Sequence, residues 1–278
     1  MKRKLLKKFP WLRPATLRVL SWLSPGTITI RHHHVDQKLR LDTFKHRGYW
    51  FHGKWRELSS VRLMQRLIEP GWTVWEVGGH IGYFSQLFAD LAGPTGRVTV
   101  FEPGSNNLPF LRRNVETLTN LTVVEKAVND HSGEVAFYLE DLTGQNNSLR
   151  PEYQNFQKNL DGVRGSKGGY QKTIVAGISL DDYQREVQTY PDFVKIDIEG
   201  AELSALRGMD RLLRERPPIM MVEITEAIAE TVALILSYGY ELYHPSGHAL
   251  AAADVRGNTF CLHPDHHAAA IQNVPYRG

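Results

Sequence analysis

Apolar residues recur along most of this chain at two alternating spacings: short unbroken runs, then stretches with an apolar residue every third or fourth position. From Leu58 to Ile68 the positions Leu58, Val61, Leu63, Met64, Leu67 and Ile68 follow near-helical spacing, and Pro70-Gly71 closes the helix. Beyond it Thr73 to Val77 reads as a strand, Tyr83 to Ala92 as a helix with Phe84, Leu87, Phe88 and Leu91 on one side, and Arg97 to Phe101 as a strand. Leu108, Leu111, Val115 and Leu118 mark a second helix, and Leu121 to Val124 a third strand. Phe193 to Ile196, a helix over Ala201 to Leu213, Ile219 to Ile224 and a helix over Ala227 to Ser237 continue the alternation. Tyr240 to Tyr243 and Thr259 to Leu262 are expected to pair as antiparallel strands at an edge. Repeated strand-helix units predict an α/β fold, a parallel sheet wrapped by helices.

The regular pattern occupies 58–264, preceded by a basic arm and extended segment over 1–57 and followed by a tail over 265–278 with no expected chemical role. His32, His33 and His34 are adjacent, so in an extended segment they point to alternate faces and do not converge on one ion; a polar extended segment is expected. Tyr49, Trp50, Phe51 and Trp55 are expected mainly to pack on the core. A polar insertion over 140–172, rich in Gly, Asn and Gln, reads as a substrate lid or a surface excursion.

The chain has 278 residues with 42% hydrophobic and 23% charged, a globular composition that fits one large domain with additions. Cys261 is the single cysteine, so no intramolecular disulfide forms and a reducing, cytoplasmic setting is expected. The overall +3 conceals an asymmetry: Lys2, Arg3, Lys4, Lys7, Lys8, Arg13 and Arg18 stand in a stretch without an acid, and the remainder is net acidic. Lys7, Lys8, Pro10 and Arg13 interrupt the apolar residues of the arm, which argues against a signal peptide, and no stretch approaches the roughly 20 apolar residues of a membrane span. With Leu17, Leu20 and Trp22 ahead of Pro25-Gly26, the arm suits peripheral contact with an anionic membrane surface, and equally a solvated or core-packed segment. The acidic remainder has no basic stripe, so nucleic acid is not an expected partner.

The candidate chemistry starts at Val74-Trp75-Glu76-Val77-Gly78-Gly79-His80-Ile81-Gly82-Tyr83-Phe84, a strand running through glycines into a helix, which lets a ligand approach the backbone closely. A second strand ends at Glu102-Pro103, roughly 20 residues further on, where a carboxylate accepts hydrogen bonds from ribose hydroxyls. Together they describe a site for an adenosine-containing cofactor. The spacing Glu-x-Gly-Gly-His-x-Gly differs from the G-x-G-x-x-G of dinucleotide sites and fits S-adenosylmethionine better than a nicotinamide cofactor.

With Phe193-Val194-Lys195-Ile196-Asp197-Ile198-Glu199-Gly200-Ala201-Glu202 and Met221-Val222-Glu223-Ile224, these segments resemble the FkbM family of S-adenosylmethionine-dependent methyltransferases, from about Glu57 to Pro264. Glu76, Gly79 and His80 stand where family members carry Asp, Ala and Asn. The resemblance implies a class I methyltransferase fold: a Rossmann-like, seven-stranded, mostly parallel sheet with helices on both faces and a final antiparallel hairpin. It implies cofactor contacts at Glu76, Gly78, Gly79, His80, Gly82, Tyr83 and Phe84, with Glu102-Pro103 at the ribose and adenine and Ala127-Val128 on the adenine's other side. The implied activity is O-methyl transfer to a carbohydrate, glycan or small-molecule hydroxyl. A hydroxyl needs its proton accepted as the new bond forms, which makes Asp197 the leading candidate base or orienting group and Glu199 the second. Asn147 and Glu223 are candidate acceptor contacts. Two carboxylates could instead hold Mg²⁺, a reading not favoured because the sequence shows no third ligand. Glu202 is expected to stabilise the first turn of its helix. A nicotinamide oxidoreductase and a non-catalytic nucleoside-binding module remain the alternatives.

Overall fold

The computed structural model describes residues 25–140, 147–149 and 170–275. Its first regular element is a hairpin that the sequence reading did not assign, β1 (Thr27–Arg31) antiparallel to β2 (Lys38–Asp42), although both segments alternate polar and apolar residues. Leu39 and Leu41 point inward and are buried, and Asn114 ties the hairpin down by accepting from the Arg40 amide at 2.7 Å and donating to the Arg40 carbonyl at 2.9 Å. The histidine run belongs to this hairpin's turn. His32 is not part of an open polar segment: it packs on the Tyr83 ring, 4.2 Å between centroids, and burial pushes its pKa down to about 4.

Next come α1 (Arg47–His52) and α2 (Leu58–Leu67), the latter burying Val61, Met64 and Leu67 and ending just ahead of Pro70. β3 (Thr73–Val77), α3 (Tyr83–Ala92), β4 (Arg97–Phe101), α4 (Leu108–Val115) and β5 (Leu121–Val124) follow the predicted alternation. A second, smaller sheet then interrupts it, with β6 (Ala127–Val128) parallel to β8 (Tyr170–Ile178) and β7 (Gly133–Glu140) antiparallel to β8. The two ends of the predicted insertion are therefore strand, and most of the rest, 141–146 and 150–169, lies outside the described residues.

The chain returns through α5 (Leu180–Val187), whose N-cap Ser179 Oγ accepts from the Asp182 amide at 3.1 Å, to β9 (Phe193–Ile196). The single helix expected over Ala201 to Leu213 is two, α6 (Glu202–Arg207) and α7 (Asp210–Glu215). Gly208 separates them because the Asn129 carbonyl passes so close that a Cβ there would lie 2.2 Å from its oxygen. β10 (Ile219–Ile224), α8 (Ile228–Ser237), β11 (Glu241–Tyr243), β12 (Gly257–Leu262) and α9 (Ala268–Ile271) complete the order. The segment after 264 is part of the fold: Val274 is buried and His267 Nε2 bonds the Pro217 carbonyl at 3.0 Å.

The main sheet has seven strands in the order β11-β12-β10-β9-β3-β4-β5, and every neighbouring pair is parallel except those that β12 makes. Successive residues feed opposite faces. Val74 and Met221 join α2, α3 and α4 in one apolar cluster, while Trp75 and Met220 join α5, α6, α7 and α8 in the other. With both faces covered, the strands are largely apolar, and the charges within them, Glu76, Lys195 and Glu223, sit toward their carboxyl ends. This is the mostly parallel, doubly covered α/β sheet of the class I methyltransferase fold, with its closing antiparallel strands. Strand order reverses between β3 and β9, and the loops leaving their carboxyl ends part to form a crevice. Among the described residues no helix is long and apolar enough to cross a membrane.

Candidate functional site

The crevice is an open cleft enclosing about 840 Å³ when its solvent-filled mouth is included. Its floor is set by the loop after β3. The Gly78 and Gly79 amides both donate to the Phe101 carbonyl, at 3.0 and 3.1 Å, which ties β3 to the end of β4. Gly78 has φ +92°, and a Cβ there would lie 2.0 Å from the Asp197 carbonyl oxygen; at Gly79 it would lie 2.3 Å from Val100 Cγ1. These glycines are thus required first by the close approach of neighbouring strands.

Glu102 closes one end. Its Oε2 accepts from the His80 amide and its Oε1 from the Gly104 amide, each at 2.8 Å, with Asn107 Nδ2 donating at 3.3 Å. Burial pushes its pKa up to about 7 against the pull of those donors. His80, in the left-handed region at φ +48°, shares a hydrogen bond of 2.9 Å between Nδ1 and Tyr49 Oη.

Beneath the floor lies a buried ionic group. Ser85 Oγ donates to Glu76 Oε2 at 2.5 Å, and Lys195 Nζ sits 4.0 Å from Glu76 Oε1 and 3.0 Å from Asp197 Oδ2. Burial raises Glu76 to about 7, which Lys195 and Ser85 only partly oppose. Burial also works against the Lys195 charge, but Asp197 and Glu76 outweigh it and raise its pKa.

At the other end Asp197, Glu199 and Glu223 converge, each offering an oxygen within 4.8 Å of the others. β9 stops at Ile196, so no continued strand aligns Asp197 with Glu199; Glu199 turns back at φ +53° instead. Asp197 pushes Glu223 up to about 11, helped by burial and by their mutual hydrogen bond. Burial would raise Asp197, but Lys195 and the Glu223 hydrogen bond outweigh it and hold it below the ordinary carboxylate range. The pair is one proton-bearing Glu223 bonded to an ionised Asp197. Asp197 does not cap the following helix, whose N-cap is Ala201 without a side-chain bond; Glu202 Oε1 accepts from the Gly200 amide at 3.0 Å there. Glu223 also supplies the third oxygen that the sequence did not show, so this trio is where a divalent cation could be held, with Lys195 already neutralising Asp197.

Of the residues singled out in the sequence, Gly78, His80, Glu102, Pro103, Ala127 and Val128 line the cleft, as do Asn147, Asp197, Glu199 and Glu223. Glu76, Gly79, Gly82, Tyr83 and Phe84 do not. Glu76 is buried under the floor, Gly79 and Gly82 face Val100 and Leu111, and Tyr83 and Phe84 turn into the core because α3 presents that face to it. Asn147 is held by Asn106, to whose Oδ1 it donates at 2.8 Å, and Ser148 Oγ donates to the Glu199 carbonyl at 2.7 Å. The sequence reading missed Arg56 and Glu57, which line the cleft together with Tyr49, one of the four aromatics it had noted ahead of the core. No spacing rule brings that segment to the carboxyl edge; its one signal is an Arg-Glu pair just ahead of an amphipathic helix. Trp50, Phe51 and Trp55 are 40%, 56% and 70% exposed rather than packed: α1 buries Tyr49 and leaves Trp50 and Phe51 outward, and Trp55 lies in the following turn, Gly53–Trp55, which buries no residue.

The family profile described as the methyltransferase FkbM domain matches residues 76–242. The chain is 29% identical over 157 residues to "Methyltransferase sdnD" of Sordaria araneosa, covering 49% of this chain and 59% of that protein. It is 28% identical over 145 residues to "Methyltransferase 1" of Beauveria bassiana, covering 49% and 57% respectively. The chain therefore spans less than two thirds of the length of these relatives. Among solved structures it is similar to the FkbM methyltransferase of Methylobacillus flagellatus KT, with 18% identity, TM-score 0.43, and 77% of this chain and 60% of that chain covered. It is also similar to Aeropyrum pernix fibrillarin in complex with S-adenosyl-L-methionine, with 10% identity, TM-score 0.45 and coverage of 86% and 84%.

Proposed function

Because this chain belongs to the FkbM methyltransferase family, whose profile spans residues 76–242, we propose that its cleft binds S-adenosylmethionine and that it methylates a hydroxyl of a carbohydrate, glycan or small-molecule acceptor. The observation that carries the reading is the Asp197–Glu223 pair on the cleft wall beside the Gly78 loop. The residues fit the cofactor in charge. Glu57, Glu102, Glu199 and the singly charged Asp197–Glu223 pair face the cleft against Arg56 and Lys126, an acidic wall that suits a sulfonium and an ammonium and opposes the pyrophosphate of a nicotinamide dinucleotide.

Bound there, the cofactor supplies an electrophilic methyl group on a positively charged sulfur. Glu102 accepts from the ribose hydroxyls with the lone pairs its backbone donors leave free, and Pro103, Ala127 and Val128 enclose the adenine. Asp197 would orient the acceptor hydroxyl and take its proton as the oxygen–carbon bond forms and the methyl carbon's bond to sulfur breaks, with the neutral thioether S-adenosylhomocysteine as the leaving group. Lys195 makes Asp197 a weak base, which suffices because a hydroxyl oxygen becomes strongly acidic once it has acquired the methyl group. Glu223, holding its own proton, fixes the Asp197 carboxylate, so positioning supplies most of the catalysis.

The exposed Trp50, Phe51 and Trp55, with Lys54 Nζ 5.4 Å from the Trp55 ring, support a further element of this reading: peripheral contact with an anionic membrane and an acceptor linked to lipid.

Calorimetric titration with S-adenosylhomocysteine is the test. Wild type should bind, Glu102→Ala should bind at least about tenfold more weakly, and Asp197→Asn should bind as wild type. Binding of NAD in place of S-adenosylhomocysteine defeats the proposal. Transfer of labelled methyl to a panel of hydroxyl acceptors then identifies the substrate class.

A further inference from the structure

Arg56 stands at the cleft mouth directly after a tight helical turn, Gly53–Trp55, and outside the segment that the family profile matches. Its guanidinium lies 4.4 Å from the centroid of the Tyr49 ring, and the Tyr49 hydroxyl is in turn bonded to His80, so the planar group is held in one orientation. Its one ion-pair contact is loose: Nη2 lies 3.5 Å from Glu57 Oε1. Nε is buried without any hydrogen-bond partner, which is costly for a charged donor.

Resting on the cofactor reading above, we propose that Arg56 binds the α-carboxylate of the cofactor's methionine moiety. Glu102, Pro103, Ala127 and Val128 assign the adenosine to one end of the cleft, and the Asp197–Glu223 pair fixes where methyl transfer takes place. The amino-acid tail then extends to the side walled by Tyr49, His80 and Arg56. Lys126, the other cation on the wall, belongs to the adenosine end beside Ala127 and sits 3.8 Å from Glu186. A carboxylate among Glu57, Asp197 and Glu199 would be repelled without a cation, and the guanidinium fork matches its two oxygens. Glu57 and Glu199 receive the ammonium of the tail.

The test is calorimetry of the full chain with two probes that share the adenosine and sulfur: S-adenosylhomocysteine, which carries the amino-acid tail, and 5′-methylthioadenosine, which does not. Arg56→Met should weaken S-adenosylhomocysteine by roughly 10–100-fold and leave methylthioadenosine within about twofold, with Arg56→Lys intermediate. Equal losses for both probes would make Arg56 a structural residue and overturn the proposal, as would unchanged binding of S-adenosylhomocysteine. Wild type that binds neither probe removes the cofactor reading itself, a result distinct from either.

Discussion

The Lys195 ammonium stands 3.0 Å from Asp197 Oδ2, and the lysine side chain is only 1% exposed. It is the buried cation that lets an ionised carboxylate persist at the floor of the cleft. Removing one member of a buried ion pair leaves the other uncompensated, so Lys195→Met should destabilise the fold by about 3 kcal/mol in urea unfolding. Glu76→Gln added to it should restore part of the loss, since Glu76 then no longer needs a counter-charge.

Asp197→Asn and Glu223→Gln should separate binding from chemistry. Both should hold S-adenosylhomocysteine within about threefold of wild type, while methyl transfer to an active acceptor falls by about 10²–10⁴ for Asp197→Asn. Glu223→Gln should cost less, because a neutral amide still donates to Asp197.

Gly79 and Val100 form a packing pair. A methyl group at Gly79 would approach Val100 Cγ1 to 2.3 Å, so Gly79→Ala should lower stability by about 1–3 kcal/mol. Val100→Ala opens that space. The double variant should therefore be more stable than the sum of the single effects predicts, a coupling read from a double-mutant cycle of thermal or urea unfolding.

Glu76, Glu102 and Glu202 are each raised to about 7, in every case mainly by burial. Between about pH 4.5 and 7 the native protein keeps protons that the unfolded chain has lost, so these groups stabilise at low pH and that stabilisation disappears as pH rises through 7. The depressed histidines, His32, His46 and His267, act oppositely below about pH 6.5. Melting temperature should consequently fall from pH 6 to 8. Glu202→Gln, neutral throughout, should remove a share of about 1 kcal/mol from that dependence.

If the outward aromatics serve a lipid surface, Phe51→Ser/Trp55→Ser should reduce sedimentation with anionic vesicles about fivefold or more without changing S-adenosylhomocysteine affinity, and deletion of residues 1–24 should do the same. Undiminished vesicle binding in both variants would sink that role.

The strands and helices of the main sheet were legible because each is buried on the face that its period describes; Thr73–Val77 and Phe193–Ile196 lie where the apolar runs place them. The β1–β2 hairpin was overlooked although Thr27–Arg31 and Lys38–Asp42 alternate polar and apolar residues at the strand period; what the sequence does not encode is its docking, through buried Leu39 and Leu41 and the Asn114 bonds to Arg40. For the site, glycine spacing marked the loop but not which glycines face the cleft, since that depends on how near Val100 and Asp197 pass. Asp197 and Glu199 stood out in the sequence, whereas Glu223's proton and the wall of Tyr49, Arg56 and Glu57 are products of tertiary approach alone.

The missing side chain of Gly78 has a consequence for specificity. Because the Gly78 loop and the Asp197 backbone touch without any side chain between them, the spacing of these two cleft segments is set by adjacent main chains. On the proposed reading, a side chain added at Gly78 would push apart the two segments between which transfer takes place, whereas changes in the outer loops would alter which acceptor is admitted.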